Sequence, residues 1–188
     1  MGFVPISESK RSRFESIVTP HLDAAYNLAR WLTGKDHDAQ DVVQEAMLRA
    51  FMYFDGFRGV DARAWVLKIV RNTCFSWLQA NRPSNSMEMA VEELEHLLPA
   101  PFCSGSDDDP ETIALRRTEA VQLNNAVAAI APGFREVIVL REMEGLSYKE
   151  IATVIELPIG TVMSRLARAR AELRRVLKSP RCVKGDNQ

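Results

Sequence analysis

The residue types with the clearest chemistry lie between residues 147 and 178 of this 188-residue chain. Ser147-Tyr-Lys-Glu150 predicts the start of a short helix over 147–155, because the serine oxygen and the glutamate carboxylate each accept a hydrogen bond from an otherwise unpaired backbone N–H. Glu156-Leu157-Pro158 predicts a tight turn, and a longer basic helix is expected over 159–178. A capped helix, a turn and a basic helix are typical of the helix-turn-helix motif, whose second helix enters the DNA major groove.

The predicted helix 159–178 has an apolar face and a polar face at the helical period. The side chains expected to be buried are Val162, Leu166, Ala169, Leu173 and Leu177. Those on the opposite face are Thr161, Ser164, Arg168 and Arg175, with Met163, Arg165 and Arg170 on the flanks. Hydroxyl and guanidinium groups bind base edges and phosphates, so we expect this polar face to contact DNA. The same pattern also fits an amphipathic bundle helix with a basic exterior.

A second group of candidate residues lies between residues 53 and 82. The loop 53–59 is aromatic, basic and rich in glycine, which suits single-stranded nucleic acid because each unstacked base stacks on a ring for about 1–3 kcal/mol. Phe57, Arg58 and Asn72 are the candidates for contact with a base or the backbone. The predicted helix 61–82 has two tryptophans, Trp65 and Trp77, on one face, and we assign them mainly to the core. Two cations, Lys68 and Arg71, lie on another face of the same helix.

A third group lies on a predicted helix over 36–54. Its buried stripe is expected to contain Val43, Ala46, Met47, Ala50 and Phe54, whereas Asp41, Gln44, Glu45, Leu48 and Met52 point outward. An acidic face that exposes a leucine and a methionine suits a partner helix bearing Arg or Lys. A solvated helix face with stray apolar residues is the alternative.

Helices must position all three groups, because the hydrophobic period throughout the chain is 3.6 and not two. The predicted helices are 12–33, 36–54 and 61–82, then 112–130, 133–143, 147–155 and 159–178. The fold class is therefore all-α, with two small helical domains over 12–82 and 112–178. Residues 83–111 between them are interpreted as a flexible linker, since they contain four prolines and eight acids but no Lys or Arg.

Composition narrows the function further. The formal net charge of −1 is the sum of separate acidic and basic segments of the chain. The longest aliphatic run, Val137–Leu140, is far too short for a membrane span. The N-terminus predicts no secretory signal, and three widely spaced cysteines fit a reducing compartment, so we expect a cytoplasmic protein. The run Asp107–Asp109 is interpreted as solvated. No HExxH, P-loop, GxSxG or Cys/His cluster is present, so we expect neither an enzyme nor a metal or cofactor.

The motifs together resemble one known family, the extracytoplasmic-function (group 4, sigma-70 family) RNA polymerase sigma factors. The segment 38–51, DAQDVVQEAMLRAF, resembles region 2.2 of that family, which docks on core polymerase. Phe57-Arg58-Gly59 with AWVLKIVRN over 64–72 is similar to regions 2.3–2.4, which recognise and open the −10 element. GLSYKEIA over 145–152 and GTVMSRLARAR over 160–170 resemble region 4.2, which reads the −35 element. The resemblance covers about residues 12–178.

This resemblance implies a role for individual residues. Asp41, Gln44, Glu45 and Leu48 would bind core polymerase at its clamp helices, and the polymerase flap is a further expected contact of the chain. The −10 DNA would be bound by Phe57, Arg58, Arg63, Lys68, Arg71 and Asn72, with a flipped base held by Phe57 and Asn72. The −35 groove would be bound by Thr161, Ser164, Arg165 and Arg168. Met163 departs from the basic residue often found at its position. The resemblance also implies an anti-sigma factor as a further partner.

A different class of protein shares part of this pattern. A stand-alone helix-turn-helix transcriptional activator with an N-terminal regulatory domain would carry the same 147–178 pair of helices. It predicts duplex binding without polymerase, and it leaves the outward face of helix 36–54 and the 53–72 group unexplained.

Overall fold

The computed structural model describes residues 8–59, 61–81 and 121–178, and every regular element in these ranges is a helix. The all-α fold class is confirmed. The predicted linker 83–111, Cys103 and Cys182 lie outside the described residues. None of the described helices is sufficiently long and apolar to cross a bilayer.

The N-terminal unit contains four helices: α1, Glu8–Val18; α2, Leu22–Thr33; α3, Asp36–Tyr53; and α4, Ala62–Ala80. The predicted single helix over 12–33 is wrong, because a 3₁₀ turn at Thr19–His21 separates α1 from α2. Pro20 lies in this turn, and a proline ring clashes with the preceding turn of a continuous α-helix. Gly34 adopts φ 85° and ends α2, a left-handed conformation that glycine reaches without strain.

The C-terminal unit contains the helix over 121–128 (α5), α6 over Pro132–Ile138, α7 over Tyr148–Ile155 and α8 over Ile159–Lys178. Helix α6 continues into a π-helical turn at Val139–Met143. The predicted capping box is confirmed: the Ser147 N–H donates to Glu150 Oε2 at 2.7 Å, and the Glu150 N–H donates to Ser147 Oγ at 3.2 Å. The helix-turn-helix pair α7–α8 therefore begins where the sequence predicts.

The two units share one apolar core. Leu28 and Leu67 from the N-terminal unit and Leu140 and Ile151 from the C-terminal unit are fully buried in the same cluster. Helix α4 packs against α7, and α2 packs against α6. The predicted buried stripe of α8 is confirmed at Val162, Leu166 and Ala169, but it is wrong at Leu177, which is 47% exposed.

Candidate polymerase and nucleic-acid surfaces

The outward face of α3 has the composition that the sequence predicts. Ala46 and Ala50 are fully buried, whereas Leu48 is 60% and Met52 is 71% exposed. We call Asp41, Gln44, Glu45, Leu48 and Met52 the α3 face, and all five side chains are exposed. Tyr53, which the sequence analysis assigned to the aromatic loop 53–59, is instead the last residue of α3, and its exposed side chain follows Met52.

Hydrogen bonds fix the start of α3 against α2. Tyr26 Oη donates to Asp36 Oδ1 at 2.6 Å, and Arg30 Nε lies 2.6 Å from the same oxygen. The hydrogen bond to Asp36 raises the pKa of Tyr26. On the outward side, Arg49 pairs with Glu45 at 2.8 Å one turn away. Hydrogen bonds and an ion pair therefore join the start of α3 to α2, while the side chains of the α3 face meet solvent.

An aromatic cluster supports the loop between α3 and α4. The Phe57 ring lies 4.7 Å from the Trp65 ring and stacks on the buried Phe54 ring at 6.1 Å. Phe14 contacts Phe54 edge-on at 5.2 Å. The assignment of Trp65 to the core edge agrees with this packing, and Phe57 is half-buried with it. Arg58, the next residue, is exposed.

The predicted −10 residues on α4 lie on one side of that helix, which faces the C-terminal unit. We call Arg63, Lys68, Arg71 and Asn72 the α4 basic face. Each cation meets a carboxylate of the C-terminal unit: Arg63 Nη2 lies 2.9 Å from Glu144 Oε2, Lys68 Nζ lies 2.8 Å from Glu156 Oε1, and Arg71 Nε lies 2.8 Å from Glu136 Oε2. The hydrogen bond from Lys68 lowers the pKa of Glu156. The Arg71 guanidinium also donates to Asn72 Oδ1 at 3.1 Å.

The predicted −35 residues divide into two environments. Ser164 and Arg168 are exposed, and Thr161 is half-buried near the start of α8. Arg165 instead points towards the interface between the units, where its Nη1 donates to Glu136 Oε1 at 3.2 Å. Met163 is 53% exposed. Sequence reasoning missed the three acids that pair with the predicted DNA-binding cations, because their partners are 29 to 88 positions away in the chain.

Two family models match this chain and correspond to its two units. Sigma-70 region 2 matches residues 17–83, and Sigma-70, region 4, matches residues 120–173. The chain is 35% identical over 181 residues to the RNA polymerase sigma-H factor of Pseudomonas aeruginosa, covering 92% of this chain and 90% of that protein. It is 36% identical over 140 residues to the ECF RNA polymerase sigma-E factor of Escherichia coli K12, covering 71% and 70%.

A third relative and two solved structures agree with these matches. The ECF RNA polymerase sigma factor SigE of Mycolicibacterium smegmatis is 32% identical over 161 residues, which are 86% of this chain and 60% of that longer protein. The sigma factor RpoE in complex with the anti-sigma factor NepR from Bartonella quintana superposes with a TM-score of 0.65 at 27% identity, covering 90% of this chain and 99% of that chain. CnrH in complex with the cytosolic domain of CnrY superposes with a TM-score of 0.60 at 25% identity, covering 91% of each chain.

Region 2 and region 4 units in this order define a protein of the sigma-70 class. The chain belongs to the extracytoplasmic-function RNA polymerase sigma factors, as its motifs suggest. The stand-alone activator is not favoured, because it leaves the region 2 match over 17–83 unexplained.

Proposed function

We propose that this chain binds core RNA polymerase, directs it to promoters with specific −35 and −10 elements, and promotes transcription initiation. The observation that supports this function most strongly is that one chain contains both a region 2 unit and a region 4 unit. Its role is recruitment and DNA recognition, not covalent catalysis. Such a factor acts where polymerase and DNA are, so we expect it in the cytoplasm.

The α3 face is the proposed core-polymerase surface, through Asp41, Gln44, Glu45 and Leu48. It combines an exposed leucine with carboxylates around it, and protein interfaces of this kind have an apolar centre and a polar rim. The carboxylates would meet basic residues of the polymerase and orient the encounter.

The α4 basic face and the loop before it are the proposed −10 surface. Phe57 offers a half-buried aromatic ring next to the exposed Arg58, and Arg63, Lys68 and Arg71 offer cations for the strand backbone. A flipped base held by Phe57 and Asn72 would regain the few kcal/mol that unstacking costs.

The first turns of α8 are the proposed −35 surface. Thr161 and Ser164 lie near the N-terminal end of the second helix of a helix-turn-helix pair, which is the end that contacts base edges in the major groove, and Arg168 follows one turn after Ser164. Arg165 would join them once it leaves Glu136. A net charge of −1 fits a factor that binds DNA only in complex with polymerase, because polymerase would supply most of the non-specific attraction to the phosphates.

We also propose that an anti-sigma factor regulates this chain. One solved structure that it resembles is a sigma factor in complex with an anti-sigma factor, and another is CnrH in complex with the cytosolic domain of CnrY. Each superposition covers about nine-tenths of this chain.

In vitro transcription with core polymerase and a randomised promoter library tests the proposed function. We expect transcripts only when the factor is added, and selected templates with two conserved elements. Factor-independent template selection, or specific duplex binding that needs no polymerase, would contradict the proposal.

A further inference from the structure

Exposed large apolar side chains are concentrated on two helices of the described chain. Three of them lie on α3 and three on α8: Leu48, Met52 and Tyr53, then Ile159, Met163 and Leu177. The first three lie on or next to the α3 face, the proposed polymerase surface. The proposed function assigns no ligand to those of α8, although Ile159 and Met163 lie in the first two turns of that helix.

Ile159, Met163 and Ala167 form an exposed stripe along α8. Successive members are four residues apart, which places them about 40° apart around the helix axis. Ile159 is 45% and Met163 is 53% exposed, and Ala167 is exposed as well. In a helix-turn-helix pair, the first turns of the second helix meet base edges in the major groove. The stripe therefore begins in the part of α8 that would enter the groove.

The surroundings of this stripe are basic and sterically open. Residues 159–171 contain three arginines and no acid. Ser164 and Arg168 are exposed to one side of the stripe. Nothing lies within 4 Å of the position that a Cβ would take at Gly160, so another molecule can approach the helix backbone there. An apolar stripe in positive surroundings suits a polyanion that carries an apolar group, because the charges are then complementary.

Double-stranded DNA offers one such group in its major groove, the C5 methyl of thymine, among hydrogen-bond donors and acceptors. A methionine side chain has no donor for guanine O6 or N7, so Met163 does not select guanine as a cation would. Its thioether chain is flexible and polarizable and adapts to irregular apolar surfaces. Methionine at this position therefore favours an A·T pair whose thymine methyl it covers.

We propose that Met163 is a specificity-determining residue that packs against the C5 methyl of a thymine in the −35 element, with Ile159 and Ala167 bordering the contact. The inference rests on the proposed function and adds to it the kind of base that one position of α8 reads. Removal of that single methyl group should weaken promoter binding about 4-fold, from the free energy that burial of one such carbon contributes.

Deoxyuridine substitution tests the proposal in the complete holoenzyme. The −35 element selected from the randomised library is rebuilt with each thymine, on either strand, replaced singly by deoxyuridine. This change removes the C5 methyl and keeps the groups that pair with adenine. We expect one position at which deoxyuridine lowers promoter binding and run-off transcription by the wild-type factor about 4-fold. The measurement needs no protein variant, so misfolding cannot produce it.

Two variants connect the methyl effect to one side chain. Met163→Ala should bind thymine and deoxyuridine templates equally, whereas Met163→Leu should keep the difference because leucine also covers a methyl group. Both should fold, since Met163 is 53% exposed. Leu177→Ala is the matched control, because Leu177 is an exposed apolar residue of the same helix about 21 Å further along its axis. This variant should keep the 4-fold difference.

A −35 element without thymine on either strand, or one in which the wild-type factor tolerates every deoxyuridine, would overturn the inference and leave the proposed function intact. The same 4-fold difference in Met163→Ala would also overturn it. If transcription from both templates then fell equally, the Met163 side chain would contact a protein instead. A library that yields no factor-dependent transcript and no conserved upstream element would refute the proposed function, and this inference with it.

Discussion

At the scale of single residues, surroundings decide what each arginine can do. Arg168 is exposed on α8, where we propose that it contacts a DNA groove, whereas Arg71 is bound to a buried carboxylate. Arg135 is buried with backbone carbonyls as its hydrogen-bond acceptors, and its role is to join elements. Arg71 and Arg135 therefore join elements of the fold, whereas Arg168 has the exposure that contact with DNA would require.

Leu48 is the strongest residue-scale test of the α3 face. Leu48→Arg should weaken binding to core polymerase by at least about 30-fold, since truncating or charging a central apolar contact costs about 2 kcal/mol or more. The side chain is 60% exposed, so the fold should be retained. Co-purification with core polymerase and a titration of the complex measure the effect.

Leu177→Arg is the matched control, because Leu177 is also an exposed leucine but lies at the far end of α8. Equal loss of polymerase binding in both variants would show that added positive charge, and not the α3 face, is responsible.

Arg168 tests the proposed −35 surface. Arg168→Ala should remove a DNA contact that contributes about 1–3 kcal/mol to the free energy of binding. Transcription from −35-dependent promoters should therefore fall about 5- to 150-fold. Arg174→Ala is the control, since Arg174 is an exposed arginine of the same helix about 120° around its axis. Run-off transcription measures both. Full activity of Arg168→Ala would refute the assignment.

At the scale of elements, the residues at helix ends determine where each helix begins and stops. The 3₁₀ turn at Thr19–His21 ends α1 and separates it from α2. The capping box at Ser147 fixes the first residue of α7, which in turn sets where α8 begins after its short connection. Helix boundaries thus determine which face of α8 is exposed, and this is the face that we propose contacts DNA.

Ser147→Ala should lower the free energy of unfolding by about 1 kcal/mol, since it removes the oxygen that accepts from the Glu150 N–H. Ser76→Ala is the matched control, because the Ser76 hydroxyl donates only within α4 to the Asn72 carbonyl. Urea unfolding followed by circular dichroism measures the difference. Equal loss in the two variants would contradict the stabilising role of the cap.

The cap also predicts a pH dependence. The Ser147 hydroxyl and backbone N–H lower the pKa of Glu150 in the folded chain. A lowered folded-state pKa contributes stability above the unfolded pKa, about 4.3 for Glu, and that stability is lost as pH falls through the folded-state value. The difference in stability between wild type and Ser147→Ala should therefore shrink below about pH 4.

At the scale of the whole molecule, the two units share one apolar core, so we expect them to unfold together in a single cooperative transition. All three tryptophans, Trp31, Trp65 and Trp77, belong to the N-terminal unit, whereas helices of both units contribute to far-ultraviolet circular dichroism. Urea transitions followed by tryptophan fluorescence and by circular dichroism should therefore coincide. Two separated transitions in the wild-type chain would contradict the continuous packing of the units. Glu136→Gln should shift both transitions to lower urea, or separate them.

The sequence by itself determined the helical fold class, the faces of α3 and α8, and the cap of α7. These follow from short-range rules, namely the 3.6-residue period and the hydrogen bonds left open at helix ends. The break at Pro20 was also visible as a proline, but the long apolar pattern of 12–33 concealed it. The family resemblance came from the same local motifs taken in order.

Only the tertiary structure decided how the two units meet. Charge blocks in the sequence predicted basic surfaces but not the buried Glu136 that binds Arg71 and Arg165, since those partners lie 65 and 29 positions away. Pairing across such distances depends on how helices pack, which periodicity does not encode. The physical reason is that a charge's partner is set by three-dimensional proximity in a poorly screened interior, and the sequence alone records only order along the chain.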